Sequence, residues 1–221
     1  MTENMLPTDP TLDEIRNALA PLIARNAGFD GWCAAAVNSA AAELGVDTEV
    51  AALAFKGNAM AMIDGWIESV DMELARRLPP EKLAAMKIRE RITLLVSTRL
   101  EIMNPDREAL RRAMAIMAMP QNLVHSAKIG WRSADRMWRL AGDNASDFNH
   151  YTKRATLSAV YGSTLSVFVN DESTDFADTR AFLDRRIDNV MQFEKAKAQA
   201  RARQDYVPSL SRFIGRLRYP A

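Results

Sequence analysis

Apolar residues recur at helical spacing along almost the whole chain, and this pattern constrains the fold more than any other feature. One such run consists of Ile63, Trp66, Ile67, Val70 and Leu74. Alternation of apolar and polar residues, which is typical of half-buried strands, is nearly absent. Thr11 and Glu14 fit a capping box at the first helix start. The sequence therefore predicts an all-α bundle of about ten helices.

Composition limits the class of protein. The 221 residues are 48% hydrophobic and 26% charged, as in ordinary globular domains, and no apolar run reaches the ~20 residues of a membrane-spanning helix. Cys33 is the only cysteine, which excludes an internal disulfide. The N-terminus resembles neither a secretory signal nor a transit peptide. These features favour a bacterial cytoplasmic location, and the amphipathic tail described below places the protein peripherally on the inner face of the cytoplasmic membrane.

The first part of the chain has the plan of a helix-turn-helix module. Helices are predicted near 11–26, 31–44 and 48–55, leading into a longer helix near 58–77, and Gly45 lies in the turn between the second and third. A tight glycine-containing turn between two such helices is typical of this motif. The arrangement resembles the N-terminal part of TetR-type regulators. We predict a flexible N-terminus at 1–10, a three-helix unit at 11–57, a larger helical domain at 58–199 and a basic helix at 200–221.

DNA-binding chemistry is missing from this unit. A recognition helix presents basic and amide side chains to phosphates and base edges, and the segment Thr48–Phe55 contains none. Residues 1–80 carry 5 Lys/Arg against 12 Asp/Glu, so the unit repels a polyanion. We therefore expect no nucleic-acid partner and keep a TetR-like, ligand-responsive transcription regulator as the alternative function.

Motifs that support catalysis are also lacking. His125 and His150 lie on separate predicted helices without metal-site spacing, and we expect no metal. The sequence has no glycine-rich phosphate loop and no Gly-x-Ser-x-Gly turn. We predict that the protein is not an enzyme and has no catalytic residues.

Methionine and aromatic residues crowd the region from Met114 to Trp138. Flexible thioethers suit pockets for long apolar ligands, although the same composition equally serves an ordinary helix-bundle core. We predict that the ligand-lining residues are Met114, Met117, Leu123, Val124, Trp131, Met137, Trp138, Leu165 and Phe168.

The segment Trp138–Arg154 is unusually polar for a turn between helices. Gly142 can end one helix and Asp143 can cap the next, but capping does not require Asn149, Tyr151 or Arg154. The motif Gly-Asp-x-x-x-Asp-Phe-Asn-x-Tyr-Thr-x-Arg, with Pro120-Gln121-Asn122 and the run Phe182–Ile187, resembles the ubiquinone-biosynthesis accessory family known as Coq-nine. The resemblance covers roughly residues 11 to 195.

The resemblance implies a TetR-like fold that binds lipid rather than DNA, with 58–199 as the lipid-binding domain. It implies a bound isoprenoid quinone intermediate or phospholipid, no catalytic cofactor, and presentation of the lipid to the demethoxyubiquinone hydroxylase at the membrane surface. The partner-facing residues would be Gly142, Asp143, Asp147, Asn149, His150, Tyr151 and Arg154. Many members carry Trp at the position of His150, which bears on the tightness or identity of the partner. A homodimer is implied only by the TetR-like plan.

The C-terminal segment has the pattern of a short basic amphipathic helix. Residues 195–221 hold 7 Lys/Arg and 1 acidic residue, and the apolar residues of the last segment fall at helical spacing. Such a helix either packs on the body or lies on an anionic lipid surface, where each basic residue adds about 1 kcal/mol. The predicted membrane-binding residues are Leu210, Arg212, Phe213, Ile214, Arg216 and Leu217.

Overall fold

The structure is a computed structural model that describes residues 6–56, 58–143 and 148–204, without the side chains of residues 148, 149, 194, 197, 198 and 200–204. These residues form ten α-helices, three short 3-10 turns and no strand. The helices are α1 (Leu12–Asp30), α2 (Ala34–Leu44), α3 (Thr48–Ala54), α4 (Ala59–Arg77), α5 (Pro80–Leu83), α6 (Ile88–Met103), α7 (Arg107–Met117), α8 (Leu123–Leu140), α9 (Phe148–Phe168) and α10 (Ala177–Gln204). The all-α prediction is confirmed.

Capping residues set the boundaries of the first helices. Thr11 and Glu14 form the predicted capping box at the start of α1. Gly45 adopts a left-handed backbone (φ +66°) at the end of α2, which costs little without a Cβ. The Asp47 carboxylate then accepts hydrogen bonds from the backbone N–H groups of Glu49 and Val50, at 2.8 and 3.2 Å. α1 continues four residues beyond its predicted end, to Asp30, because Gly31 (φ +80°) is the residue that ends it.

The helix-turn-helix plan is confirmed, and α3 occupies the place of a recognition helix. Val50 and Leu53 on α3 are exposed. These are apolar side chains that neither attract phosphate nor hydrogen-bond to base edges. The unit therefore has the geometry of the motif without its DNA-binding side chains.

Small residues let α1 pack closely on α2 and α4. Ala20, Ala24 and Ala27 on α1 are fully buried. A Cβ at Gly65 on α4 would lie 3.2 Å from the Phe55 ring, so the glycine permits this close approach. This tight contact joins the helix-turn-helix unit to the rest of the bundle.

The chain divides into two compact units, one up to residue 183 and the other from residue 184 onward. In the second unit, α10 is described as far as Gln204, and Met191 and Phe193 are exposed on it. Among the described residues, no helix is long and apolar enough to cross a membrane. The predicted domain boundaries at 10, 57 and 199 remain predictions.

Candidate functional site

An apolar cavity of about 500 Å³ lies among α7, α8 and α9. Ligand sites in proteins typically measure about 300–1,000 Å³. Its apolar walls include Ile67, Leu110, Met114, Met117, Ile129, Trp131 and Leu165. The cavity therefore has the size and the lining of a site for an apolar small molecule.

Two glycines on facing helices form part of the cavity lining. Gly130 on α8 and Gly162 on α9 both line it, and a Cβ built at either position meets no other atom within 4 Å. Glycine costs about 1 kcal/mol relative to alanine inside a helix. Glycine at these two positions therefore leaves space in the cavity at a cost in helix stability.

One end of the cavity is polar, and we call it the Arg99 cluster (Asp71, Arg99, Ser133 and Tyr161). Arg99 on α6 forms an ion pair with Asp71 on α4, and both side chains are completely buried. Its Nε donates to the Tyr161 hydroxyl at 2.7 Å, and its Nη2 donates to the Ser133 hydroxyl at 2.9 Å. Arg99, Ser133 and Tyr161 line the cavity.

Burial and charge act in opposite directions on Arg99. Desolvation disfavours the charged guanidinium, but Tyr161 and Asp71 outweigh it and raise the pKa of Arg99 above its ordinary value. Burial raises the pKa of Tyr161, so its hydroxyl keeps its proton at neutral pH. The cluster is therefore a fixed arrangement of a paired charge and two hydroxyl groups.

This cluster was not anticipated, although the sequence contains a signal for it. Arg99 follows Leu95 by four positions and precedes Met103 by four, so it interrupts the apolar face of its helix. Asp71 interrupts the apolar face of α4 in the same way, four positions after Ile67. A positive and a negative residue on two buried faces indicate a buried ion pair.

The structure brings together some of the predicted ligand-lining residues. Met114, Met117, Trp131 and Leu165 line the cavity. The others lie elsewhere. Met137 is buried in the core, whereas Leu123 and Val124 are exposed at the start of α8. Trp138 donates a hydrogen bond from Nε1 to the Lys153 carbonyl. Phe168 lines a smaller cavity of about 140 Å³.

Two of the predicted partner-facing residues are tied into the α8–α9 corner, which we define as Asp135–Asp143 and His150–Arg154. The Arg154 side chain is 1% exposed and donates to Asp135 at 2.6 Å and to Asp143 at 3.1 Å. Lys153 donates to Asp143 at 2.6 Å. Desolvation opposes ionisation of Asp143, but hydrogen bonds from Lys153 and Arg154 lower its pKa. These ion pairs join α8 to α9.

The local backbone explains why position 142 is a glycine. It ends α8 with a left-handed backbone (φ +87°), and a Cβ there would lie 3.2 Å from an Arg91 guanidinium nitrogen. That Arg91 nitrogen donates to the Ala141 carbonyl at 2.7 Å. Glycine is thus required by conformation and by space.

Among the predicted partner-facing residues whose side chains are described, Tyr151 projects outward, with 61% of it exposed. Its ring lies 6.1 Å from the cavity-lining Trp131 ring and 5.2 Å from the His150 ring. Asp147 and the side chain of Asn149 lie outside the described residues, as do the predicted membrane-binding residues 210–217. Partner contact by the predicted partner-facing residues and membrane contact by residues 210–217 both remain predictions.

Within the described part of the chain, no group of three or more His, Cys, Asp or Glu side chains is placed to hold a metal ion.

Comparison with known proteins bears on this region. The family model COQ9 matches residues 123–194, which include α8 and α9. The ubiquinone biosynthesis protein COQ9, mitochondrial, of Rattus norvegicus is 33% identical over 179 residues, which are 78% of this chain and 57% of that protein. The chain is a COQ9 homologue. The human COQ9 protein is 32% identical over 179 residues, or 78% of this chain and 56% of that protein. The chain thus spans a little over half the length of these COQ9 relatives.

The COQ9 comparison confirms the family resemblance and corrects the predicted location. The rat, human and Dictyostelium discoideum relatives are mitochondrial proteins by name. The expectation of a bacterial cytoplasmic protein was therefore wrong. It relied on the first ten residues of the chain, which do not determine the compartment of its relatives.

A solved structure confirms the fold. A TetR transcriptional regulator from Nitrosomonas europaea ATCC 19718 superposes with a TM-score of 0.62 over 78% of this chain and 95% of that chain. The sequences are 20% identical, so the similarity is one of fold.

Proposed function

We propose that this COQ9 homologue is a non-enzymatic, lipid-binding accessory protein of ubiquinone biosynthesis. The cavity of about 500 Å³ between α7, α8 and α9 is the observation that carries the proposal. It would hold part of an isoprenoid quinone intermediate or a phospholipid chain. The names of the COQ9 relatives support ubiquinone biosynthesis as the pathway.

The energetics favour a long apolar ligand. Burying one carbon of an alkyl chain contributes about 0.8 kcal/mol, so one five-carbon isoprene unit contributes about 4 kcal/mol when fully enclosed. Met114 and Met117 on the wall are unbranched and adjust their rotamers to different chains. The cavity thus suits a family of related lipids better than one rigid compound.

We propose that the demethoxyubiquinone hydroxylase docks next to this cavity. Tyr151 is exposed, and its ring contacts Trp131, which lines the cavity. An exposed aromatic side chain beside a ligand site is a frequent energetic hot spot of an interface. Docking at Tyr151 would bring the partner to the wall behind which the lipid lies.

A membrane contact through the basic C-terminal segment and a homodimer are further parts of the proposal. Support for the first is the charge and spacing of residues 206–221. Deleting these residues should reduce co-sedimentation with anionic liposomes and leave the temperature of thermal unfolding unchanged. Equal co-sedimentation of the truncated and full chains would refute the membrane contact. Sedimentation velocity measures the oligomeric state.

Lipid extraction tests the proposed function. The protein is purified without detergent and extracted with organic solvent, and the extract is analysed by mass spectrometry. We expect an isoprenoid quinone intermediate or a phospholipid in molar proportion to the protein. An extract without lipid, together with turnover of a quinone substrate by the isolated protein, would overturn the proposal.

A transcription regulator is the weaker alternative. The fold is that of TetR regulators, but α3 exposes Val50 and Leu53 where a reader of DNA needs basic or amide groups. We expect no shift of duplex DNA in a gel at physiological salt.

A further inference from the structure

The polar end of the cavity presents hydrogen-bond donors from three helices. Arg99 on α6, Ser133 on α8 and Tyr161 on α9 all line the cavity. Each is at least nine-tenths buried, with relative exposures of 0%, 1% and 5%. Polar groups at one end of an apolar cavity fix the orientation of a ligand.

The Arg99 cluster has more hydrogen-bond donors than strong acceptors. A guanidinium has five N–H groups, and the contacts of Arg99 with Asp71, Ser133 and Tyr161 engage three of its nitrogens once each. The Tyr161 hydroxyl donates to the Met103 sulfur at 3.4 Å, and a thioether is a weak acceptor. A ligand oxygen placed here would be a better acceptor than the sulfur.

The charge of the cluster is already compensated. Asp71 is completely buried against Arg99 and is not a cavity-lining residue, so it balances the guanidinium without contacting the cavity. An anionic ligand group would add an uncompensated negative charge to this buried region, which is costly. A neutral group that only accepts hydrogen bonds avoids that cost.

We propose that the cavity selects apolar ligands that carry a neutral carbonyl oxygen at their inner end, held by Arg99, Ser133 and Tyr161. This selectivity rests on the proposed lipid-binding function and adds the orientation of the ligand to it. The apolar chain lies against Met114, Met117 and Leu165, and the carbonyl oxygen accepts hydrogen bonds at the Arg99 cluster.

Three probes of equal chain length and one matched pair of variants test the proposal. The full chain is loaded with Nile red, and displacement by octane, 2-octanone and octanoate is followed by fluorescence. Ser133→Ala removes a hydroxyl of the Arg99 cluster. Ser163→Ala is the control, because Ser163 lies on α9 outside the cavity lining and its hydroxyl donates to the Ala159 carbonyl. Tyr161→Phe serves as a second test variant, and thermal unfolding checks that each variant folds.

We expect Ser133→Ala and Tyr161→Phe each to weaken binding of 2-octanone about fivefold to tenfold, as for the loss of one hydrogen bond. Binding of octane should change by less than about twofold in both. Ser163→Ala should leave the binding of octane and 2-octanone unchanged, and octanoate should bind more weakly than 2-octanone to the unmodified protein.

The possible failures can be told apart. If octane and 2-octanone displace the dye but Ser133→Ala weakens both equally or neither, the carbonyl recognition is wrong and lipid binding stands. Tighter binding of octanoate than of 2-octanone would refute the selectivity for a neutral group. If no probe displaces the dye, the lipid-binding function fails together with this inference.

Discussion

At the scale of single residues, the Arg99–Asp71 ion pair places two opposite charges inside the bundle. Both side chains are completely buried, and the pair joins α6 to α4. Two buried charges gain little over well-packed apolar residues, but removing one partner strands the other without compensation. The pair therefore acts chiefly as a constraint on which side chains lie at the polar end of the cavity.

Arg99→Met should lower the free energy of unfolding by about 3–5 kcal/mol, because it leaves the Asp71 carboxylate buried and unpaired. The double variant Arg99→Met, Asp71→Leu should recover a large part of that loss, since no charge then remains. Urea unfolding followed by circular dichroism measures both. A loss below about 1 kcal/mol for the single variant would contradict the burial of this pair.

Asp143 and Asp171 make the stability depend on acid pH. Desolvation alone would raise the pKa of each of these two carboxyl groups above its ordinary value. Hydrogen bonds outweigh desolvation and lower both pKa values: Lys153 and Arg154 donate to Asp143, and Ser173 and Thr179 donate to Asp171. A carboxyl group whose pKa is lower in the folded state than in the unfolded state stabilises the protein at pH values above its unfolded-state pKa. That contribution is lost as the pH falls toward the folded values.

We therefore expect the urea midpoint to fall steeply below about pH 4, and less steeply in Asp171→Asn, which removes one of the titrating groups. Asp106 acts in the opposite direction, because burial raises its pKa. Urea titrations at pH 7 and pH 3 provide the measurement. An Asp171→Asn variant with the full acid dependence of the unmodified protein would show that Asp171 does not contribute.

At the scale of elements, the α8–α9 corner connects the polar motif to the cavity. The sequence analysis identified this segment as unusually polar for a turn between helices, and the COQ9 family model matches residues that include it. The structure divides its residues by role. Asp143 and Arg154 are buried in ion pairs, and Tyr151 is exposed. Composition cannot make this division, because a charged residue next to a turn is equally suited to a cap, an ion pair or an interface.

Tyr151→Ala should reduce retention of the proposed hydroxylase partner at least tenfold in a pull-down, as expected for an interface hot spot. Phe29→Ala is the matched control. Phe29 is an aromatic residue with 87% exposure on α1, and it does not line the cavity. Both variants should unfold at nearly the temperature of the unmodified protein, since neither side chain is buried. Equal retention of the two variants would remove Tyr151 from the docking surface.

At the scale of the whole molecule, the helix pattern and caps are enough to predict the all-α fold and the helix-turn-helix plan. They act locally, through capping residues such as Thr11 and Asp47 and through the backbone freedom of Gly45. The same local patterns do not predict the cavity. The methionines and aromatics that line it have the composition of a close-packed core. Sequence alone does not show that Gly130 and Gly162 face open space, because this depends on how the surrounding helices pack.

The predicted ligand set shows the same limit. Met114 and Met117 face the cavity, whereas Met137 on the neighbouring helix is buried in the core. Helical periodicity predicts which residues share a face, but two buried faces of similar composition look alike in sequence. Leu123 and Val124 lie on the first turn of α8 and are exposed.

Filling the cavity tests the central claim most directly. Gly162→Leu places a side chain in the open space of the cavity, and Gly28→Leu is the control, because Gly28 on α1 also has open space around its Cβ but does not line the cavity. Both substitutions replace a helical glycine and should raise helix stability by up to about 1 kcal/mol. The measurement is the lipid-to-protein ratio of each variant by mass spectrometry after purification without detergent. We expect Gly162→Leu to lose most of its lipid and Gly28→Leu to retain it; equal lipid content in the two variants would contradict the account.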